Sequence, residues 1–200
     1  NANVIGKSSN KKISEMQLVQ NQSWKKKLIN SIDLNYRGSE YFTEVFPVIE
    51  QLIQGKQELL FEYNCTIIKG ICEFLNINTT IVTKNENYLS LELELDKISE
   101  TNYSSSPELL LTKPIKKVAR VLKICKAENA SVFINAIGGK ELYNKEEFKS
   151  YGIELLFVES KPYQYKQFSK EFISGLSIID VLMHNGKRGT NELLNNYNLV

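Results

Sequence analysis

Apolar positions in the first seventy-odd residues recur at helical spacing, while the second half alternates helical stripes with short apolar runs. Ser23 stands where it would cap a helix running to about Tyr36, with Gly38 as its stop signal. Tyr41, Phe42, Val45, Phe46, Val48, Ile49, Leu52 and Ile53 then repeat at three- and four-residue steps up to Gly55. Pro47 lies inside that stripe, so a kink or a broken helix is expected there. A third helix is predicted from Gln57 to Leu75, with Leu60, Tyr63, Ile67 and Ile71 on its inner face. Ahead of these helices, Ile13 to Val19 alternates weakly and is the best strand candidate.

Beyond residue 76 the pattern changes. The β-branched run Thr79 to Thr83 reads as a buried strand. LSLELEL alternates perfectly and suggests an edge strand, and TNYSSSPE after it has loop composition. From Ile115 an amphipathic helix carries Val118, Val121, Leu122 and Cys125 on one side. Strand Ser131 to Asn135 follows, then the Gly138-Gly139 turn, then a helix capped by Asn144 with Glu147 three residues on. Gly152 closes that helix ahead of strand Ile153 to Val158. After the aromatic loop KPYQYKQF, Ser177 is placed to cap a helix ending at Gly186, and Thr190 to cap a last short one. Helices and strands in this order predict an α/β fold: a mostly parallel sheet with flanking helices and a helical first half. Residues 1–200 are expected to form a single domain, 20–76 its helical part and 77–200 its α/β part.

Composition narrows the function classes. At 42% hydrophobic residues the chain can bury a sizeable core. Its 25 basic and 23 acidic residues nearly cancel, which argues against a nucleic-acid binder, and Lys25-Lys26-Lys27 reads as a solvated helix face. Cys65, Cys72 and Cys125 are too few and scattered for a disulfide framework and suit buried positions in a reducing cytoplasm. With one histidine, no zinc site is expected, and no cofactor is indicated. No apolar run approaches ~20 residues, so no membrane insertion is expected.

Several residues are candidates for chemistry. Gly6-Lys7-Ser8 lacks the earlier glycine and the strand of a phosphate-binding P-loop, so it is rejected as one. Gly138-Gly139-Lys140 is better placed. Backbone N–H groups at a glycine turn opening a helix favour an anion, and Lys140 adds a charge; the alternative is a plain tight turn. Arg120 either reaches an anion as a bidentate donor or extends to water from its helix edge. His184 follows Asp180 by one helical turn and either forms an acid–base couple with it or serves the helix C-terminus. Tyr163, Tyr165 and Phe168 either stack on a sugar or base or pin their loop to the core.

Taken together, FINAIGGKELYNKEEFKSYGIEL, YKQF and GLSIIDVLMHNG resemble the hallmark segments of the bacterial WbqC-like family. The likeness extends upstream to RVLKIC, to WKKKLINSIDLNYRGSEYFTEVFPVIE and to KSSNKKISE, and is poor from Leu89 to Lys113. It implies a role among the enzymes of surface polysaccharide and O-antigen synthesis. It also implies a further aromatic-rich first segment that does not stand in this sequence. Arg120, Asn135, Gly138, Gly139, Lys140, Glu141, Tyr143, Ser177 and Asp180 fall on the family's motif positions.

The expectation is thus an enzyme acting on a nucleotide sugar or a carrier-linked sugar. Gly138, Gly139 and Lys140 would hold an anionic group, Arg120 would clamp it, and Asn135 and Tyr143 would complete the substrate site. Asp180 and His184 are the acid–base candidates. The alternative is a non-catalytic scaffold of the glycan machinery, recruiting partners through an apolar patch around Phe42, Phe46 and Ile49. Neither the sugar nor the oligomeric state follows from the residues.

Overall fold

A computed structural model describes residues 4–5, 12–83, 86–91, 93–95, 113–161 and 163–200. Gly6-Lys7-Ser8 and the TNYSSSPE segment lie outside them. Among the described residues, the main helices and the strands follow in the order α1 (Ser23–Tyr36), α2 (Phe42–Ile53), α3 (Leu60–Phe74), α4 (Lys113–Ala127), β1 (Val132–Ala136), α5 (Lys145–Ser150), β2 (Glu154–Ser160), α6 (Ile178–Leu194) and β3 (Tyr197–Leu199). The chain divides into two compact units, 1–81 with 162–195 and 82–161 with 196–200.

The first unit is helical. Ile32 of α1, Val45, Ile49 and Ile53 of α2, Leu75, and Leu182 and Met183 of α6 form its main core. A second cluster joins Leu18, Trp24 and Tyr63. The predicted strand Ile13 to Val19 is instead a 3-10 turn at Ile13–Glu15 followed by isolated bridges. There Leu18 N donates to Glu58 O at 2.7 Å and Leu60 N to Met16 O at 2.8 Å, so the segment pins the start of α3. Ser23 is the first helical residue of α1, and the carboxamide of Asn21 accepts its N–H at 2.8 Å. α2 continues across Pro47. The carbonyl that proline leaves without a donor belongs to Thr43; both residues are exposed, so water can satisfy it.

α6 departs from the predicted pair of helices. The helical path breaks at Gly186 (φ 61°, ψ −171°) and resumes, with Thr190 buried inside it rather than capping a new helix. The break removes the usual donor to the carbonyl of Met183, which accepts Tyr41 N at 3.3 Å instead. A Cβ at Gly186 would lie 2.4 Å from Cδ1 of Tyr41.

The second unit carries the sheet. β1 and β2 pair in parallel, Val132 against Glu154 through Ala136 against Val158. β3 joins β2 antiparallel, with Val158 opposite Leu199. Among the described residues the sheet is therefore three-stranded and mixed, in the order β1-β2-β3, not mostly parallel. Thr79 to Thr83 forms no strand despite its β-branched residues, and the described part of LSLELEL is helical. A β-branched or alternating run becomes a strand only where a partner edge exists. Val118, Leu122 and Cys125 of α4 and Phe148 of α5 pack with Leu155 and Phe157 of β2. The cap on α5 is as expected: Asn144 Oδ1 accepts from Glu146 N at 2.8 Å and Glu147 N at 3.2 Å. Gly152 closes the helix at φ 74°.

Two glycines of the helical unit make a controlled comparison. Gly175 has φ 70° and open space at its Cβ position, whereas Gly186 combines φ 61° and ψ −171°, a backbone that only glycine adopts readily, with the Tyr41 ring in the way. Gly175→Ala should cost about 1–2 kcal/mol, the left-handed backbone penalty alone. Gly186→Ala should cost clearly more in chemical denaturation. Equal losses would refute the close approach at Tyr41.

Candidate functional site

α6 begins at a serine cap, Ser177 Oγ accepting from Ile179 N at 3.3 Å. The first turn then carries Asp180 inward, where it is 4% exposed. Burying a carboxylate is costly unless donors replace its water. Three do so. Tyr36 Oη, at the end of α1, donates to Oδ1 at 3.0 Å. Tyr165 Oη donates to Oδ2 at 2.6 Å, and Gln167 Nε2 donates to the same oxygen at 3.0 Å. All three donors are neutral, so Asp180 is held by dipoles rather than by a cation.

Gln167 also organises its own loop. Its Oε1 accepts Ile173 N at 2.8 Å while its Nε2 reaches Ile173 O at 3.0 Å. One carboxamide thereby closes a six-residue loop and ties it to Asp180. Tyr165 is further fixed edge-on against Phe172, ring centroids 5.3 Å apart.

One helical turn beyond Asp180, His184 presents Nε2 at 3.7 Å from Oδ1. Its side chain is 7% exposed, and Nε2 has no hydrogen-bond partner among the described residues. Phe168 covers the imidazole edge-on at 4.7 Å, and the rings of Tyr36 and Tyr165 stand at 6.1 and 6.4 Å. A carboxylate oxygen facing Nε2 favours the neutral tautomer with its proton on that nitrogen, which leaves Nδ1 as the basic one. Burial pushes the Tyr36 phenol up to about 12, helped by its hydrogen bond to Asp180 and the carboxylate's charge. Tyr165 is likewise pushed up to about 12 by burial first, then by the same carboxylate. Both phenols therefore stay protonated as donors through neutral pH.

The two predicted acid–base residues are thus brought together, and the aromatic loop serves them. Tyr165 and Phe168 hold Asp180 and His184, whereas Tyr163 is exposed. Tyr36 and Gln167 were not predicted. The sequence signal for Gln167 is an amide among aromatics shortly before α6, which it shares with Gln164; nothing local marks Tyr36.

The predicted substrate-binding residues lie in the sheet unit. Gly138 and Gly139 belong to a five-residue 3-10 turn, Ile137–Glu141, rather than to the first turn of an α-helix. Gly139 is needed for close packing: a Cβ there would lie 2.6 Å from Asn135 Nδ2 and 3.3 Å from the Phe157 ring. Gly138 faces open space. Asn135 turns its Oδ1 back to accept Ala136 N at 2.8 Å. Tyr143 is half-buried and edge-on to Phe133 and Phe148, both at 5.8 Å. Lys140 is exposed beside the turn, and Arg120 is exposed on α4. The cysteines are free; Cys125 is buried, which pushes its thiol up, and Cys65 and Cys72 are half-buried. Among the described residues no three His, Cys, Asp or Glu side chains gather as a metal site, and no helix is long and apolar enough to cross a membrane.

Residues 3–192 match the model of the WbqC-like protein family, so the chain belongs to that family. No curated protein and no solved structure matches it.

Two measurements check the Asp180 cluster. Ultraviolet titration of the ten tyrosines should show two ionising late, near pH 12, and Tyr36→Phe should remove one of them. Because the folded state holds these protons more tightly than the unfolded chain, their contribution to stability is full below pH ~10 and lost as pH rises toward 12. A titration in which every tyrosine ionises together would contradict the cluster. Asp180→Ala should destabilise the fold by about 3 kcal/mol or more, since it strands three donors at once; a loss under ~1 kcal/mol in urea denaturation would mean they find water.

Proposed function

We propose that this WbqC-like protein is a cytoplasmic enzyme of surface-polysaccharide or O-antigen synthesis, acting on a nucleotide sugar or a carrier-linked sugar. The observation that carries the reading is the buried Asp180 carboxylate, saturated by three neutral donors, with the unpartnered His184 Nε2 at 3.7 Å. A carboxylate so fixed faces the imidazole across 3.7 Å and orients it, while the opposite nitrogen takes or gives the substrate proton. Hydroxyl groups of sugars are the substrates such a base serves. Aromatic residues beside the couple suit a sugar ring, and Phe168, 58% exposed, is the one in contact with His184.

In this reading the sheet unit has its own task. Lys140 and Arg120 supply positive charge for an anionic group, Gly138 leaves its backbone open to a ligand, and Asn135, Gly139 and Tyr143 hold the turn in shape. The scaffold alternative loses its proposed surface. Phe42 and Phe46 are half-buried and stacked at 4.6 Å, and Ile49 is buried in the helical core.

Calorimetric titration with nucleotide sugars tests the binding half of this reading. Lys140→Ala and Arg120→Ala should each raise Kd about tenfold or more, the worth of one charge-assisted contact, without unfolding the protein. Unchanged binding in both would remove the anion-holding role. Chromatographic assay of nucleotide-sugar consumption tests the other half: Asp180→Asn and His184→Gln should bind donor but not turn it over. Turnover equal to that of the unaltered protein would end the acid–base assignment.

A further inference from the structure

The helical unit contains a cavity of about 270 Å³ between α1, α2, α3 and the start of α6. Trp24, Leu28, Ile49, Ile53, Tyr63 and Ile67 form its walls, and the exposed residues Asn64, Ser177 and Ile178 stand at its mouth. The space is half open to solvent and is lined mainly by apolar side chains.

The walls offer a polar ligand almost nothing. Trp24 Nε1 already donates to Val19 O at 3.2 Å, and Tyr63 Oη to Ile53 O at 2.9 Å. At the mouth, Ser177 Oγ is engaged as the α6 cap. The remaining lining is mostly aliphatic or aromatic carbon, so water entering it would find few partners.

The cavity is also braced against collapse. Lys25, 6% exposed, donates Nζ to the carbonyl of Gly55 and stands 5.5 Å from the Trp24 ring centroid and 5.2 Å from that of Tyr63. These two rings meet edge to face at 5.9 Å. α2 and α3 are already in contact through Gly70, where a Cβ would lie 2.3 Å from Leu52 Cδ2. The helices cannot close further there to fill the space.

We propose that this cavity binds a hydrocarbon chain, straight or isoprenoid, with its polar end at the Asn64–Ser177 mouth. An apolar cavity of about 150 Å³ takes the six carbons of benzene, so this volume corresponds to about ten carbons. The inference is independent of the acid–base reading, because none of the residues assigned to that chemistry lines the cavity.

Trp24 is the only tryptophan in the chain and forms part of the wall, so its fluorescence reports occupancy directly. The test titrates the whole protein with hexanol, octanol, decanol and dodecanol, and with geraniol as the isoprenoid arm. Saturable changes in Trp24 emission are expected, with Kd falling about three- to fourfold per added methylene up to about ten carbons and levelling off beyond. Ile67→Phe and Leu28→Phe, which fill the cavity, should weaken decanol at least tenfold, with folding checked by circular dichroism. No saturable change with any chain would overturn the proposal. So would affinity that climbs through dodecanol without levelling, which marks surface partitioning and is readable in the unaltered protein alone.

Discussion

A buried carboxylate has to be answered by the rest of the chain. Asp180 is withdrawn from water on the first turn of α6, and its donors come from positions 144, 15 and 13 residues away. Satisfying it fixes the end of α1, the loop before α6 and α6 itself in one arrangement. Apolar packing of Leu182 and Met183 against Ile32, Val45 and Ile49 supplies the non-directional part of that assembly. The hydrogen bonds supply its geometry, since a loop with no regular structure has little else to define its path. Gln167 shows the economy of this: one carboxamide closes its own loop and contributes to the charge.

The same constraint gives the site its chemistry. Three neutral donors hold Asp180 in place, and His184 faces the same carboxylate across 3.7 Å. Membership of the WbqC-like family sets the context, but a fold or family does not by itself assign a reaction; the site must do so. The aspartate–histidine pair beneath an exposed aromatic ring is the site we propose for that part.

Elements encoded by neighbouring residues were readable from the sequence. The Asn144 cap, the Gly152 stop, the strands around Phe133 and Leu155 and the one-turn spacing of Asp180 and His184 all depend on contacts within a few positions. What failed depended on distant partners. Thr79 to Thr83 has strand residues but pairs with no strand among the described residues, whereas Tyr197–Leu199 is short and exposed and becomes a strand by pairing with β2. That antiparallel partner also turned the expected mostly parallel sheet into a mixed one. The glycine pair Gly138-Gly139 signals conformational freedom in the sequence, and the structure adds that Gly139 leaves room for Asn135 and Phe157. Tyr36 could not be foreseen at all, since its role is created only when α1 ends beside α6.

The central claim is that Asp180 and His184 act as one unit, and the chain's single histidine makes it directly observable. Nitrogen-15 NMR of the labelled imidazole reads which ring nitrogen carries the proton. The account predicts the proton on Nε2, facing Asp180, and a redistribution of the two nitrogen shifts in Asp180→Asn. A proton on Nδ1, with shifts unchanged by Asp180→Asn, would contradict it.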